Sequence, residues 1–205
     1  MSIQEHRNHA IAQGDDDGVE GQCQIFGFWV FLMSDAVLFA LLFATYGVML
    51  SATAGGPTPN SEYKIVPAFI ETLILLTSSF TFGMASVSMK YRAPRKQLFG
   101  WLGVTLLLGF GFLGLEVKDF ATMVAEGAYP SRSGYLSSFF ALVPLHGLHV
   151  LVGCLWLVVM IVQVVTLGLD AQVKVNILRL GLFWHFLDIV WIAIFSAVYL
   201  QGLVH

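Results

Sequence analysis

Five long apolar stretches, separated by polar breaks, dominate the sequence. They cover residues 24–50, 65–89, 98–117, 136–166 and 177–204. Each stretch is long enough to cross the hydrocarbon core of a bilayer as a helix, which takes about 20 apolar residues. A helix also satisfies its own backbone hydrogen bonds in hydrocarbon, which an open strand does not. The pattern therefore predicts an all-α, polytopic membrane protein whose five transmembrane helices form a single domain over residues 24–204.

The residues before the first stretch are polar and acidic, and Asp15, Asp16 and Asp17 follow one another. They lack the basic start and the small-residue cleavage site of a signal peptide. We therefore expect residues 1–23 to form a flexible, uncleaved tail.

The distribution of lysine and arginine over the breaks predicts the orientation, because positively charged short loops stay in the cytoplasm. One side of the membrane receives seven of these residues: Arg7, Lys90, Arg92, Arg95, Lys96, Lys174 and Arg179. The other side receives three: Lys64, Lys118 and Arg132. The expected topology has a cytoplasmic amino terminus and a periplasmic carboxyl terminus.

The composition supports a membrane location and argues against some partners. Of the 205 residues, 57% are hydrophobic and 11% are charged, against about 25% charged in a typical soluble domain. The net charge is −3, without a basic run of the kind that binds nucleic acid, so we expect no nucleic-acid partner. Cys23 and Cys154 lie far apart and lack ligand spacing, so neither a disulfide nor a cysteine metal site is predicted.

The last apolar stretch contains two ionisable side chains within FWHFLDIVWIAIFSAVY, residues 183–199. His185 and Asp188 are three residues apart and so share a helix face. Ionisable groups inside a membrane cost on the order of a few kcal/mol each and normally face a partner, a cavity or another helix. Because Trp184 and Trp191 lie on the same face as Asp188, we expect that face to look into the bundle.

A helical rise of about 1.5 Å per residue places other polar side chains at similar depths. Asp35 and Asp188 each lie about 16 Å from the inner face. Four residues are expected to form a layer near the midplane: Asp35, His149, His185 and Asp188. Within this layer, Asp35 is predicted to hydrogen-bond His149, because the two share a depth and each needs a partner.

Glu71 and Glu116 lie closer to the outer face. Glu71 is about 9 Å from it and is expected to form an outer polar layer with His146. Glu116 lies near the outer end of its own stretch. Hydroxyl side chains follow Glu71 along its helix: Thr72, Thr77, Ser78, Ser79 and Thr81. Since intramembrane hydroxyls commonly bond between helices, this helix is expected to present a polar packing surface.

The fourth stretch contains LVPLHGLHVLVG, in which His146 and His149 share a helix face just after Pro144. One interpretation is a pair of metal or haem ligands, although two histidines so close on one helix would not hold a single haem from both sides. The other is hydrogen bonding between helices, the common use of polar side chains inside membranes. Spacing alone leaves both interpretations open.

Five segments, taken in order, resemble subunit III of the haem-copper oxidases. They read FWVFLMSDAVLFALLFATY, ETLILLTSSFTFGMA, FLGLE, HGLHVLVG and FWHFLDIVW. The resemblance runs through all five stretches, and the order and spacing of the motifs make it specific. The mitochondrial type has seven helices and a glutamate where this chain has Asp35. The five-stretch pattern is therefore similar to the bacterial, cytochrome bo-type ubiquinol oxidase branch of the family.

This resemblance implies a fold and a function. The fold would be a five-helix bundle with a lipid-holding cleft. The chain would have no catalytic residue and bind no haem or metal, with haem and copper expected in subunit I, and it would hold structural phospholipid. Its partners would be subunit I directly, and subunits II and IV of the complex. That complex, in the bacterial inner membrane, would oxidise ubiquinol, reduce dioxygen to water and pump protons.

Position by position, the resemblance makes Asp35 the counterpart of the family's reactive intramembrane carboxyl. It makes four residues counterparts of the family's signature polar residues: His146, His149, His185 and Asp188. We call these five residues, together with Glu71 and Glu116, the polar seam. It is the candidate site for supporting proton uptake or for binding lipid.

Three other functions remain open on the sequence alone. A membrane cytochrome b would use His146, His149 and His185 as ligands. A proton-coupled transporter would have its site near the midplane, although no internal repeat of the kind found in many transporters is visible. A cytochrome c oxidase subunit would differ in the electron donor of its complex, since five-helix subunits also occur in that branch.

Overall fold

The computed structural model describes residues 3–50, 65–91, 94–125 and 133–200, with side chains described from residue 21 onward except at 65 and 200. The helices are α1 (Ile3–Met49), α2 (Ile65–Lys90), α3 (Arg95–Ala125), α4 (Gly134–Thr166) and α5 (Ala171–Ile194), and a π-helical segment, Phe195–Leu200, continues α5. Five helices are long and apolar enough to cross a membrane. This confirms the all-α, five-span prediction within the described ranges. The predicted break at 51–64 lies outside them.

Two helices extend furthest beyond the predicted apolar stretches. α1 begins at Ile3, within the segment expected to form a flexible tail, and its candidate membrane span begins at Gly21. α3 continues past Val117 to Ala125, through residues that the apolar pattern assigns to a polar break. In α3, charged side chains end the apolar pattern without ending the backbone hydrogen bonding, because Lys118 is a good helix former and Asp119 disrupts a helix less than Gly or Pro does. Residues 118–125 contain neither Gly nor Pro.

Local chemistry shapes the two ends of α4. At its start, the Ser133 hydroxyl accepts a hydrogen bond from the backbone N–H of Leu136 at 3.2 Å, as an N-cap residue does. At its end, Leu167 N–H donates to the carbonyl of Gln163 at 2.8 Å. Gly168 then adopts a φ of 82°, in the left-handed region that favours glycine. The chain can therefore turn directly into α5.

α5 lies at the centre of the bundle. It contacts α1, α2 and α4. Among the membrane-spanning segments, the buried share of residues is largest in α5, at 56%, and smallest in α1, at 11%. The α5 face predicted to look inward does so, because Trp184, Asp188 and Trp191 are 1%, 6% and 1% exposed.

Two glycines allow neighbouring helices to approach closely. A Cβ at Gly109 of α3 would lie 2.8 Å from Cys154 Sγ of α4. A Cβ at Gly181 of α5 would lie 2.8 Å from Cε1 of Phe82 on α2. Real Cβ atoms do not pack at these distances, so close packing at both crossings depends on a residue without a side chain, as is common between membrane helices.

Candidate functional site: the polar seam between helices

Asp35 on α1 and His149 on α4 form the first contact of the polar seam. His149 Nε2 lies 3.3 Å from Asp35 Oδ2, with the two side chains 22% and 14% exposed. The two side chains meet as predicted, but not through the predicted hydrogen bond. Within the described ranges, Asp35 Oδ2 has no hydrogen-bond partner of standard geometry. The contact is therefore that of an imidazole beside a carboxyl group, without the alignment of a full hydrogen bond.

The other ring nitrogen of His149, Nδ1, contacts the backbone of its own helix. His149 Nδ1 lies 2.7 Å from the carbonyl oxygen of Leu145. A carbonyl can only accept, so Nδ1 carries a hydrogen, and Nε2 of a neutral ring then offers only a lone pair. An attractive contact between Nε2 and Asp35 requires one further proton, on Nε2 or on the carboxyl group. With that proton the pair would be neutral as a unit.

Hydroxyl groups on α2 accept hydrogen bonds from the buried indoles of α5. Trp184 Nε1 donates to Ser78 Oγ, and Trp191 Nε1 donates to Thr72 Oγ1, each at 3.0 Å. An unpaired buried N–H would cost about 1–3 kcal/mol. Ser78 Oγ also donates to the carbonyl of Leu75 at 2.7 Å, so this hydroxyl is satisfied in both roles. The polar packing surface predicted for this helix is confirmed.

His185 lies at the edge of the same α2–α5 interface. His185 Nδ1 is 2.6 Å from Ser79 Oγ on α2. The same nitrogen is 3.9 Å from Asp188 Oδ2, one helical turn away. The side chain of His185 is 52% exposed and that of Asp188 is 8% exposed. The nearer polar partner of His185 is thus a hydroxyl of another helix, while the carboxyl group points inward.

The layer predicted near the midplane therefore consists of two contacts on different helix pairs. Asp35 and His149 join α1 to α4. His185 and Asp188 lie together where α5 meets Ser79 of α2. The depth of these contacts in a bilayer stays a prediction.

Glu71 on α2 and Glu116 on α3 line one small cavity, together with Asp119 and Tyr199. The cavity leaves about 10 Å³ for the centre of a water-sized molecule, which is about enough for one water. The two glutamates are 2% and 5% exposed. Each has an Oε1 atom without a hydrogen-bond partner among the described residues. The cavity thus gathers carboxyl oxygens that can bind a water or a proton.

Asp119 and Tyr199 are absent from the predicted seam. Asp119 was identifiable from the sequence, because it lies three residues after Glu116 and so shares its helix face. Tyr199 comes from the π-helical segment after α5. Nothing in the spacing of the sequence links it to Glu71 or Glu116, since the three belong to different helices.

Gly147 forms the surface against which Glu116 packs. A Cβ at Gly147 would lie 2.5 Å from both carboxyl oxygens of Glu116. Gly147 is the glycine of the HGLH motif, between His146 and His149. Its role in the motif is therefore to let a carboxyl group from α3 reach the backbone of α4.

His146 lies in an aromatic enclosure. It is 0% exposed, and its ring stacks on Trp191 with centroids 5.3 Å apart. The rings of Phe112 and Phe39 lie at steep angles to it, 89° and 68°, with centroids 6.0 and 6.4 Å away. Neither ring nitrogen has a hydrogen-bond partner in the described part of the chain. The ring contacts of His146 are thus aromatic, whereas the outer-layer prediction paired it with Glu71.

The three histidines face different neighbours, which bears on the haem and metal interpretations. His146 faces aromatic rings, His149 faces Asp35, and His185 faces Ser79. Over the described ranges, no group of three or more His, Cys, Asp or Glu side chains has the arrangement of a metal site. Because ligands must converge on one ion, these histidines do not fit a shared metal or haem.

Across the described ranges, these features define a membrane protein of five helices whose interior polar side chains meet between helices. The family model described as cytochrome c oxidase subunit III matches residues 6–203. The chain belongs to this family, which confirms the resemblance to subunit III of the haem-copper oxidases carried by its motifs.

Three relatives illustrate the range of the similarity. A cytochrome bo(3) ubiquinol oxidase subunit 3 of Pseudomonas aeruginosa is 51% identical over 195 residues, covering 95% of this chain and 93% of that protein. A quinol oxidase subunit 3 of Bacillus subtilis is 42% identical over 201 residues, covering 97% and 98%. A cytochrome c oxidase subunit 3 of Bacillus sp. strain PS3 is 41% identical over 187 residues, covering 91% and 89%.

Proposed function

We propose that this chain is the non-catalytic subunit III of a proton-pumping oxidase that takes its electrons from ubiquinol. The observation that carries the proposal is the 51% identity with the Pseudomonas aeruginosa ubiquinol oxidase subunit over 95% of this chain. The complex oxidises ubiquinol and reduces dioxygen to water, and its haem and copper lie in subunit I. This chain supplies packing, lipid contact and support for proton uptake.

The partners are subunit I, in direct contact, and subunits II and IV of the complex, in the bacterial inner membrane. The supporting feature is α1, whose membrane-spanning part has little buried surface inside this chain. Phe31, Val37 and Leu41 of α1 are 56%, 61% and 65% exposed. Such a face suits lipid or another subunit, because both offer apolar contact. The amino terminus lies in the cytoplasm and the carboxyl terminus in the periplasm.

We assign the lipid-holding cleft to a cavity between α1 and α4. It has a volume of about 250 Å³ and is lined by Phe28, Phe31, Leu148, His149, Val152, Trp156 and Phe183. A concave, mostly aromatic surface of this kind can hold part of an acyl chain without leaving a void. The cleft would thus keep lipid in place beside the partner subunit.

Support for proton uptake is assigned to the contact between Asp35 and His149. His149 also lines the cleft between α1 and α4. With one shared proton the pair would carry no net charge, which would lower the cost of keeping two ionisable groups in hydrocarbon. Neither side chain contacts a reacting atom in this proposal, so both support the proton path of subunit I and are not catalytic residues.

A second candidate is the same role in a cytochrome c oxidase. The similarity to the cytochrome c oxidase subunit of Bacillus sp. strain PS3, at 41% identity, favours it. The two candidates differ in the donor that the whole complex oxidises. Activity of the purified complex with ubiquinol and with reduced cytochrome c separates them.

Co-purification tests the proposal most directly. The tagged chain is purified from its own membranes in mild detergent, and the accompanying proteins are identified by mass. We expect a haem-bearing subunit I, and ubiquinol-dependent oxygen consumption by the preparation. A Soret band that persists in the chain free of other subunits would favour a membrane cytochrome b. Substrate-dependent proton flux by the chain alone in liposomes would favour a transporter.

A further inference from the structure

A second groove lies between α2 and α5, where α2 ends and α5 begins. It has a volume of about 490 Å³ and is lined by Ser86, Val87, Met89, Lys90, Lys174 and Leu178. Lys90 is the last residue of α2, and Lys174 lies in the first turn of α5. The two lysines therefore stand at the same end of the groove, on opposite walls.

The groove changes from charged to apolar along its length. On α2, Val87 lies one helical turn before Lys90, and on α5, Leu178 lies one turn after Lys174. Both apolar side chains open to the groove, with Val87 46% and Leu178 42% exposed. A molecule lying in the groove would thus meet two ammonium groups at its head and apolar side chains deeper in the membrane.

Neither Lys90 nor Lys174 forms an ion pair with a carboxyl group whose side chain the structure describes, from residue 21 onward. Lysine side chains extend their ammonium groups toward the membrane surface while their stems stay on apolar surface. Two such groups on facing helices make a site for a single anionic group at the level of the lipid headgroups.

We propose that this groove binds an anionic glycerophospholipid, with its phosphate between Lys90 and Lys174 and an acyl chain along Val87 and Leu178. Charge complementarity selects this occupant, because a zwitterionic headgroup would bring its own cation close to the two lysines. The proposal deepens the lipid-binding part of the proposed function, on which it rests. The proposal also distinguishes the groove from the α1–α4 cleft, whose described lining residues include no lysine or arginine.

The test compares two lipids with identical acyl chains, phosphatidylglycerol and phosphatidylethanolamine. The chain is purified together with the subunits that accompany it. This complex is depleted of lipid, titrated with each lipid and measured by native mass spectrometry. We expect tighter binding of phosphatidylglycerol. K90Q or K174Q should weaken that binding about fivefold, and K90Q/K174Q about 25-fold, with little change for phosphatidylethanolamine. K90R/K174R should retain the preference.

The matched control is K96Q. Lys96 is exposed in the first turn of α3, carries the same charge and does not line the groove. Equal affinity of the wild-type complex for both lipids would overturn the proposal. So would a loss in K96Q as large as that in K90Q/K174Q, because the effect would then come from general surface charge.

A photoreactive amino acid in place of Leu178 shows whether the groove is occupied by lipid or by another protein. In native membranes, cross-linking to phospholipid supports the proposal, and cross-linking to another subunit overturns it. The haem content and subunit composition of the same preparations test the proposed function separately. Failure of lipid selectivity can therefore be told apart from failure of the oxidase assignment.

Discussion

The indole nitrogen of Trp191 donates to Thr72 Oγ1 at 3.0 Å, while Thr72 Oγ1 donates to the carbonyl of Ala68 at 2.8 Å. One hydroxyl thus pairs a buried N–H of α5 and remains bonded within α2. Trp191 also packs against the rings of His146 and Phe112. A change at Thr72 therefore acts at the point where the central helix meets three of its neighbours, α2, α3 and α4.

Replacing Thr72 by valine should destabilise the protein by about 1 kcal/mol, because it leaves the Trp191 N–H buried without an acceptor. The free energy of unfolding can be measured by titrating mixed micelles with a denaturing detergent. T72S keeps the hydroxyl and serves as the control. If T72V unfolds at the same point as T72S, the hydrogen bond contributes nothing measurable.

Replacing Gly147 by alanine should cost about 1–3 kcal/mol, because the new Cβ would overlap the carboxyl group of Glu116. The matched control is G111A, since a Cβ at Gly111 meets nothing within 4 Å. Both variants are compared by thermal unfolding in detergent. A second substitution, E116A, should recover part of the loss in G147A. Equal melting of G147A and G111A would show that Glu116 moves aside freely.

The contact between Asp35 and His149 predicts energetic coupling of about 1 kcal/mol in a double-mutant cycle. The variants are D35N, H149L and D35N/H149L, each measured for stability and for oxidase activity of the complex. D35N combined with H185L is the control, because these residues belong to separate contacts and their effects should add. Additivity of D35N and H149L, or unchanged behaviour of all three variants, would remove the case for a functional pair.

Filling the cleft between α1 and α4 should displace its lipid. V152W places a large side chain at a position that lines the cavity. L155W is the matched control, because Leu155 is 55% exposed on the same helix, similar to Val152 at 49%, and lies outside the lining. We expect fewer phospholipids per complex in V152W than in L155W, by phosphate assay after purification. The same lipid content in both variants would argue against the assignment of this cleft.

The sequence alone determined the class of the protein, the membrane-spanning helices and which residues share a face of each helix. Runs of apolar residues define five membrane-spanning helices because hydrocarbon accepts only segments that satisfy their own backbone hydrogen bonds. Helical spacing also predicted that Trp184, Asp188 and Trp191 look inward. Estimated depth was enough to pair Asp35 with His149, because the number of residues from the membrane surface gives the depth of each side chain along its helix.

Only the tertiary structure decided which faces of different helices meet. The pairing of Thr72 with Trp191, the packing of Glu116 on Gly147 and the arrival of Tyr199 at the acidic cavity all join separate helices. Spacing defines faces within one helix, whereas contacts between helices depend on how each is rotated and shifted against the next. In a membrane the outer face is as apolar as the core, so the hydrophobic pattern that orients a helix in water carries little of that information.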